Sequence, residues 1–321
     1  MKFAMMVVNE LRCMHKNYLN LIERIIQYYN ADVIIVCQNA FQDDIERIEY
    51  LKKYTVHVSI YDKPDPLTYF GENTCLKNIE NGWGQWNSFG CLQIYINMME
   101  MNNVITKHNL DYDYYLMFRT DSCILFDLPP IDIFKEAPPS VYGFYSEFWK
   151  KIGNHGGQYI HKNYITDYLT APYTYINDTN NFKILNQKHI LTSLNTIYYK
   201  DFDKEFNTIP ISLYQETLFI VAFESVGINI KKIHNLPFYF SEDINESYVF
   251  NNMRKRQTDG DVCYKYPKQY TECNQNLIYW NNGYRWKLIN NEIILVPPIP
   301  PNHVNDCNTD VKLSIDNNLN I

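Results

Sequence analysis

No C-x-x-C pair occurs among the eight cysteines of this 321-residue sequence, which lie singly at positions 13, 37, 75, 91, 123, 263, 273 and 307. Zinc-ribbon and thioredoxin-like classes therefore have no support, and scattered thiols fit a reducing, cytoplasmic compartment. Cys37, which follows Val33-Ile34-Ile35-Val36, serves as a small hydrophobe. No apolar run approaches the roughly 20 residues that cross a bilayer. The opening Met1 to Val8 stretch is too short for a signal peptide and lacks a small-residue cleavage site, so a soluble protein is expected. An excess of basic charge is missing too. The 29 Lys and Arg against 36 Asp and Glu leave a net charge of -7, which argues against a broad grip on nucleic acid or anionic lipid. Only Arg254-Lys255-Arg256 runs counter to that, and such clusters are commonly solvated loop charges. There is no internal repeat, and the sequons at Asn177 and Asn245 are a pattern that chance supplies in an Asn-rich chain.

What is present begins as an alternation of strand and helix. Phe3 to Val8 is a short buried strand, and Leu19, Ile22, Ile26 and Tyr29 then recur at helical spacing. Ala31 to Cys37 repeats the strand pattern. Ile45, Ile48 and Leu51 make a second helical stripe, and Val56, Val58 and Ile60 alternate as a strand. Strand and helix by turns predict a Rossmann-like parallel sheet. Asp62 to Trp86 reads as a loop, and a helix is expected from Asn87 to about His108.

That helix feeds the stretch on which the chain turns, Tyr112-Asp113-Tyr114-Tyr115-Leu116-Met117-Phe118-Arg119-Thr120-Asp121-Ser122. It starts as an apolar, aromatic strand and ends abruptly in polar residues. A cation and an anion are thus delivered at a strand's carboxyl end, where open α/β sheets bind ligands. A carboxylate there can hold a divalent metal, and a guanidinium can pair bidentately with phosphate. The plainer alternative is an exposed, salt-bridged strand end.

Beyond Leu128-Pro129-Pro130 the pattern loosens. Ser140 to Trp149 reads as an aromatic strand, Gly153 to Gly157 as a flexible turn, and Asn180 to Tyr199 as a helix. Ser212-Leu213-Tyr214-Gln215 has the capping-box form, placing Glu216 in the first turn of a helix that stops at Gly227. Ile228 to Ile233 is a last core strand ending at His234. Tyr284 to Leu288 and Glu292 to Val296 form a hairpin, followed by Pro297 to Pro301 and a polar tail.

With these residues in view, the chain resembles nucleotide-sugar glycosyltransferases of the GT-A fold, in the branch whose acidic motif reads R-T-D. Such sequences occur in large DNA viruses and in bacterial surface-polysaccharide clusters. The matching pieces are the first strand followed by Leu11-Arg12, Asn30-Ala31-Asp32-Val33, Trp86-Asn87-Ser88, Tyr112 to Asp121, and Gln215-Glu216-Thr217-Leu218. The resemblance covers about residues 1–240. It implies an α/β, GT-A (Rossmann-like), mostly parallel central sheet flanked by helices. A nucleotide-binding half (about 1–128) and an acceptor half (about 129–240) are expected, then a small β-containing C-terminal extension (241–321). It also implies a donor that is a nucleoside-diphosphate sugar, UDP-linked in the first instance, and a glycan hydroxyl as acceptor. The cytoplasm would be that of a host were the source viral.

On that resemblance Asn9, Arg12, Trp86, Asn87, Ser88, Arg119, Asp121 and Ser122 bind the donor. Asp121 holds Mn²⁺ or Mg²⁺, with His234 as a second ligand, to neutralise leaving-group charge. Glu216 is the expected base, or the acceptor-orienting group if configuration is retained, with Glu242 and Asp243 as rivals. A helix's first turn stabilises the Glu216 anion and weakens it as a base, so plain helix capping is the competing role. Two other functions compete: a sugar nucleotidyltransferase and a non-catalytic carbohydrate-binding protein. Asn9-Glu10-Leu11-Arg12 is not the Gly-rich basic loop that nucleotidyltransferases carry.

Overall fold

Continuous apolar runs make the first strands. Phe3–Val7 (β1) is buried along its whole length, and Asp32–Gln38 (β2) at all but its ends. Thr55–Tyr61 (β3) alternates between half-buried and exposed because it is the outermost strand. Tyr114–Met117 (β4) is buried throughout. These four run parallel in the order β4-β1-β2-β3, as the strand-helix alternation predicts. The computed structural model describes residues 1–8, 11, 13–38, 46–62, 64–70, 90–146, 151–152, 157–177, 219, 222–241, 257–259, 262–264 and 267–298.

The sheet continues past β4 in a mixed manner. Val141–Ser146 (β6), Gln158–His161 (β8) and Lys231–Ile233 (β9) extend it, with the hairpin Arg285–Ile289 (β13) and Glu292–Val296 (β14) at its far end. The full order is β13-β14-β9-β6-β8-β4-β1-β2-β3, with Lys151–Ile152 (β7) beside β6, while Gln257–Asp259 (β11) and Val262–Tyr264 (β12) form a separate two-stranded sheet. β8 is antiparallel to both β4 and β6, whereas β6, β9 and β14 are mutually parallel. Along this path only β8 and β13 therefore run against the rest. The carboxyl ends of β1, β2, β3, β4, β6 and β9 share one edge.

Alternate residues of the central strands feed two cores. Phe3, Met5 and Val7 of β1, with Tyr114 and Leu116 of β4, pack on one face. Over that face lie Met14–Leu21 (α1), Ile131–Glu136 (α4) and Pro267–Asn281 (α6). Ala4, Met6, Tyr115 and Met117 pack on the other face, under Gly90–Lys107 (α3), Ile165–Asn177 (α5) and the short Pro66–Phe70 (α2).

Three local features depart from the expected pattern. The strand expected to run to Ser122 stops at Met117, because Arg, Thr and Asp cannot continue a strand covered on both faces. Ser122–Ile124 (β5) then leaves the main sheet and pairs antiparallel with Phe238–Phe240 (β10). Secondly, α5 and α6 fall where no helix is expected. In α6 the buried side chains are Gln269, Cys273 and Asn276, so Asn and Gln occupy part of the core-facing stripe. Thirdly, Glu49–Tyr54 is a 3₁₀ turn.

Two expected turns are present, while the expected strand from Ile228 is confined to Lys231–Ile233 and is not the last of the sheet, since β14 pairs beyond it. Gly227 has φ 76 behind a helical turn over 222–225, the left-handed stop that glycine supplies at low cost. The hairpin turn has φ 52 at Asn290 and φ 63 at Asn291, the signs of a type I′ turn. This hairpin joins the main sheet through Ile293 opposite Ile233. The expected helix at Asn180 to Tyr199, the Ser212 capping box, the Gly153–Gly156 part of the turn and the tail beyond Pro298 lie outside the described residues.

Candidate functional site

The charged end of β4 sits at the carboxyl edge, beside β1. There Arg119 Nε donates to Asp121 Oδ1 at 2.8 Å and Nη2 to Oδ2 at 2.5 Å, the fork geometry of a bidentate ion pair. Asp121 is only 4% exposed as a residue, so solvent screens the pair little. The guanidinium also lies over the Phe240 ring at 4.4 Å, a cation–π contact that keeps it flat against β10.

The backbone beneath this pair is tied from three directions. Ser122 N–H closes a turn on the Arg119 carbonyl at 3.1 Å. From α1, Asn17 Nδ2 donates to the Thr120 carbonyl at 3.2 Å and to Ser241 Oγ at 2.7 Å. Ser241 N–H in turn donates to the Asp121 carbonyl at 2.8 Å, with its Oγ 3.2 Å from the same oxygen. One turn further along α1, Asn20 both accepts from Ile124 N–H at 2.8 Å and donates to the Ile124 carbonyl at 2.9 Å. α1 is thus a clamp on the loop between β4 and β5. It begins behind Cys13 at φ 53, a left-handed conformation that costs a non-glycine residue about 1 kcal/mol or more. The Cys13 Sγ lies 3.9 Å from the Ser241 carbonyl, on the same brace.

Of the expected donor-binding residues, the structure brings Arg119, Asp121 and Ser122 together. Ser122 is fully buried on β5, and its Oγ has no hydrogen-bond partner. Asn9, Arg12, Trp86, Asn87, Ser88 and Glu216 lie outside the described residues, as do Glu242 and Asp243. Arg12 is covalently between Leu11 and Cys13, and Glu242 directly follows Ser241, so both are one residue from the brace.

His234 directly follows β9, which is separated from β4 by β8 and β6, about 14 Å at normal strand spacing. Its Nε2 is 2.8 Å from Glu292 Oε2 on β14. Among the described residues no three His, Cys, Asp or Glu side chains gather in one place. Both Asp121 oxygens are taken by Arg119. The described residues therefore do not compose a cation site as they stand.

Neighbouring groups that could be mistaken for catalysts are silenced by burial. The Cys123 thiol is pushed up from its ordinary value by desolvation, which keeps it protonated and non-nucleophilic near neutrality. At the ends of β2 and β3, Gln38 Nε2 donates to Asn97 Oδ1 at 2.9 Å and to the Tyr61 hydroxyl at 3.3 Å. Tyr61 also donates to Asn97, and burial pushes its hydroxyl up to about 12. A surface cavity of about 360 Å³, lined by Ile48, Lys52, Val56, Val58 and Ile60 among others, lies along the outer strand β3 and not at the Arg–Asp pair.

No family model matches this sequence, and neither does any curated protein. Solved structures do show a weak likeness. The chain is similar to the mannosyltransferase Ktr4p from S. cerevisiae in complex with GDP, at 12% identity over 57% of this chain and 52% of that one, with a TM-score of 0.30. It is also similar to core-mannan synthase A (CmsA/Ktr4) from Aspergillus fumigatus in a Mn/GDP form, at 13% identity over 45% and 42%, with a TM-score of 0.29. The chain spans about half the length of these proteins or less. At that level of similarity its chemistry has to be read from its own residues.

Sequence reasoning found the Arg119–Asp121 pair but not its clamp. Asn17, Asn20 and Ser241 carry no local signal, since each is an ordinary polar residue until α1 and Ser241, just past β10, are brought against the same loop. No helix among the described residues is long and apolar enough to cross a membrane.

Proposed function

We propose that the chain is a glycosyltransferase that moves a sugar from a nucleoside-diphosphate donor, a UDP-sugar in the first instance, to a glycan hydroxyl. The observation that carries this reading is the buried Arg119–Asp121 fork at the carboxyl edge of a central strand, in the crevice where α/β sheets hold ligands. A guanidinium already oriented by a carboxylate and an aromatic face loses little freedom when it meets a phosphate. In the transfer, the bond between the sugar's anomeric carbon and the diphosphate oxygen breaks, and its electron pair leaves with the diphosphate. The acceptor oxygen bonds to that carbon and gives its proton to a carboxylate. Arg119 would stabilise the departing charge.

Glu216 is the first candidate for the base. Glu242 and Asp243 are the rival candidates, next in the sequence after Ser241, which is bonded to the Asp121 carbonyl. Mn²⁺ or Mg²⁺ would lower leaving-group charge further, but would have to displace Arg119 from Asp121, so the steps above do not depend on it. The hexosyl or pentosyl identity of the transferred group follows from the donor that is turned over.

The test is a panel of nucleotide sugars incubated with Mn²⁺ while release of nucleoside diphosphate is measured, with and without chelator. Release from one donor, lost in Asp121→Ala, is the expected result. Pyrophosphate-dependent turnover would instead make the chain a nucleotidyltransferase, and glycan binding with no turnover of any donor would make it a non-catalytic carbohydrate binder. Glu216→Gln, Glu242→Gln and Asp243→Asn, compared side by side, identify the base as the one whose loss stops transfer while donor binding persists.

A further inference from the structure

A second polar group at the same edge is left unanswered by the folded chain. Gln158 opens β8 directly opposite Met117 of β4 and Gly143 of β6. It is 0% exposed, and neither its amide nitrogen nor its amide oxygen has a hydrogen-bond partner. An amide buried with both functions unmet is costly, because it has given up its water and gained nothing in return. The apolar surroundings offer no remedy: Met117, across the strand pair, has its sulfur 3.7 Å from the Tyr168 hydroxyl. On the other side Gly143 contributes no side chain that could answer the amide. Nor can β8 shift to relieve the strain. A Cβ at Gly157 would lie 2.8 Å from both the Phe144 and Phe238 rings, so the strand is already pressed onto the opposite core.

We propose that Gln158 is a sugar-recognition residue, whose amide donates to one hydroxyl and accepts from the next on a pyranose ring brought to the carboxyl edge of β4 and β6. This rests on the glycosyltransferase reading and deepens it. Gln158 stands opposite Met117, two residues before Arg119. At normal strand spacings its backbone is therefore within about 10 Å of that residue's, a separation that a sugar joined to a diphosphate spans. An amide is the side chain that pairs with vicinal hydroxyls, since it supplies one donor edge and one acceptor edge together. The three side-chain torsions of glutamine let that amide turn toward the edge when a ring arrives.

The test uses Gln158→Leu, which removes both orphaned atoms, with Gln158→Glu as a second variant that replaces the amide nitrogen by a second oxygen. Melting temperature is measured, together with calorimetric affinity for UDP, GDP and their hexose conjugates. Expected for Gln158→Leu is a raised melting temperature, affinity for the bare diphosphate within about twofold of the parent, and a threefold to tenfold loss on the sugar conjugate, about one or two neutral hydrogen bonds. Gln158→Glu loses the sugar increment too. A Leu variant that is stabilised yet binds the conjugate as the parent does would overturn the proposal and make the amide a defect of the core. So would a Leu variant that melts lower and loses bare diphosphate equally, because Gln158 would then hold the fold. If the parent protein binds no nucleotide at all, the glycosyltransferase reading itself falls and takes this inference with it.

Discussion

Removing the Asp121 carboxylate would break a bidentate pair whose guanidinium the fold has largely taken out of water. The two side chains are 21% and 6% exposed for Arg119 and Asp121, both well under a third, so solvent screens the pair only weakly. Breaking a buried pair by deleting one partner costs roughly 3–5 kcal/mol. The Phe240 face still cushions Arg119 at 4.4 Å, which argues for the low end, about 3 kcal/mol. For a chain of this size that corresponds to a fall in melting temperature of about 4–5 °C. Asp121→Asn tests the charge with the shape kept, and Arg119→Leu with Asp121→Leu tests the pair as a unit. The double variant should recover part of the loss, because the two charges that the pair set against each other are removed together. Thermal and urea unfolding of the three variants form a double-mutant cycle. An Asp121→Asn protein that melts within about 1 °C of the parent would refute the reasoning, and so would a double variant as unstable as the two single losses added. Donor turnover, read well below every melting temperature, separates the catalytic loss from the structural one.

The clamp makes its own prediction. Asn17→Leu leaves the Thr120 carbonyl and Ser241 Oγ without their donor, which should cost about 1–3 kcal/mol in urea unfolding and lower turnover through a loosened loop. Gly157→Ala would force a Cβ to 2.8 Å from Phe144 and Phe238, and overpacking of that kind costs roughly 1–3 kcal/mol, read as a lower urea midpoint with an unchanged slope. Asp113 accepts from Lys2 N–H at 2.8 Å, which holds its carboxyl below the usual range. A depressed folded pKa adds stability above the unfolded value near pH 4 and loses it as pH falls through the folded one. The melting-temperature gap between Asp113→Asn and the parent should therefore be present at pH 7 and close in acid. A gap constant with pH would show that the bond does not depend on charge.

How much of this was legible follows from what each feature needs. β1, β2 and β4 announce themselves because a parallel strand covered on both faces must be a continuous apolar run, and Phe3 to Val8, Val33 to Cys37 and Tyr114 to Phe118 are such runs. The Arg119–Asp121 pair is legible for the converse reason: charge appears abruptly where a buried strand has to end. β8 hides, since Gln158-Tyr159-Ile160-His161 is four residues of mixed polarity inserted antiparallel between β4 and β6, and no local pattern foretells which strands it will separate. α6 hides behind its Asn and Gln content, although Tyr270, Cys273, Leu277 and Trp280 recur at helical spacing against the core.

The brace on the loop is hidden most deeply of all, because Asn17 meets Ser241 across 224 residues. A hydrogen bond across that separation is decided by the whole fold and not by any window of sequence. Gln158 belongs to the same class. Its meaning lies in the partners it does not have, and an unmet amide is recognisable only once everything around it is in place. Residues whose local pattern conflicts with their surroundings tend to mark function. Here the conflict between a buried amide and its apolar walls, set beside a clamped ion pair on one sheet edge, points to a bound molecule that brings the missing hydroxyls with it.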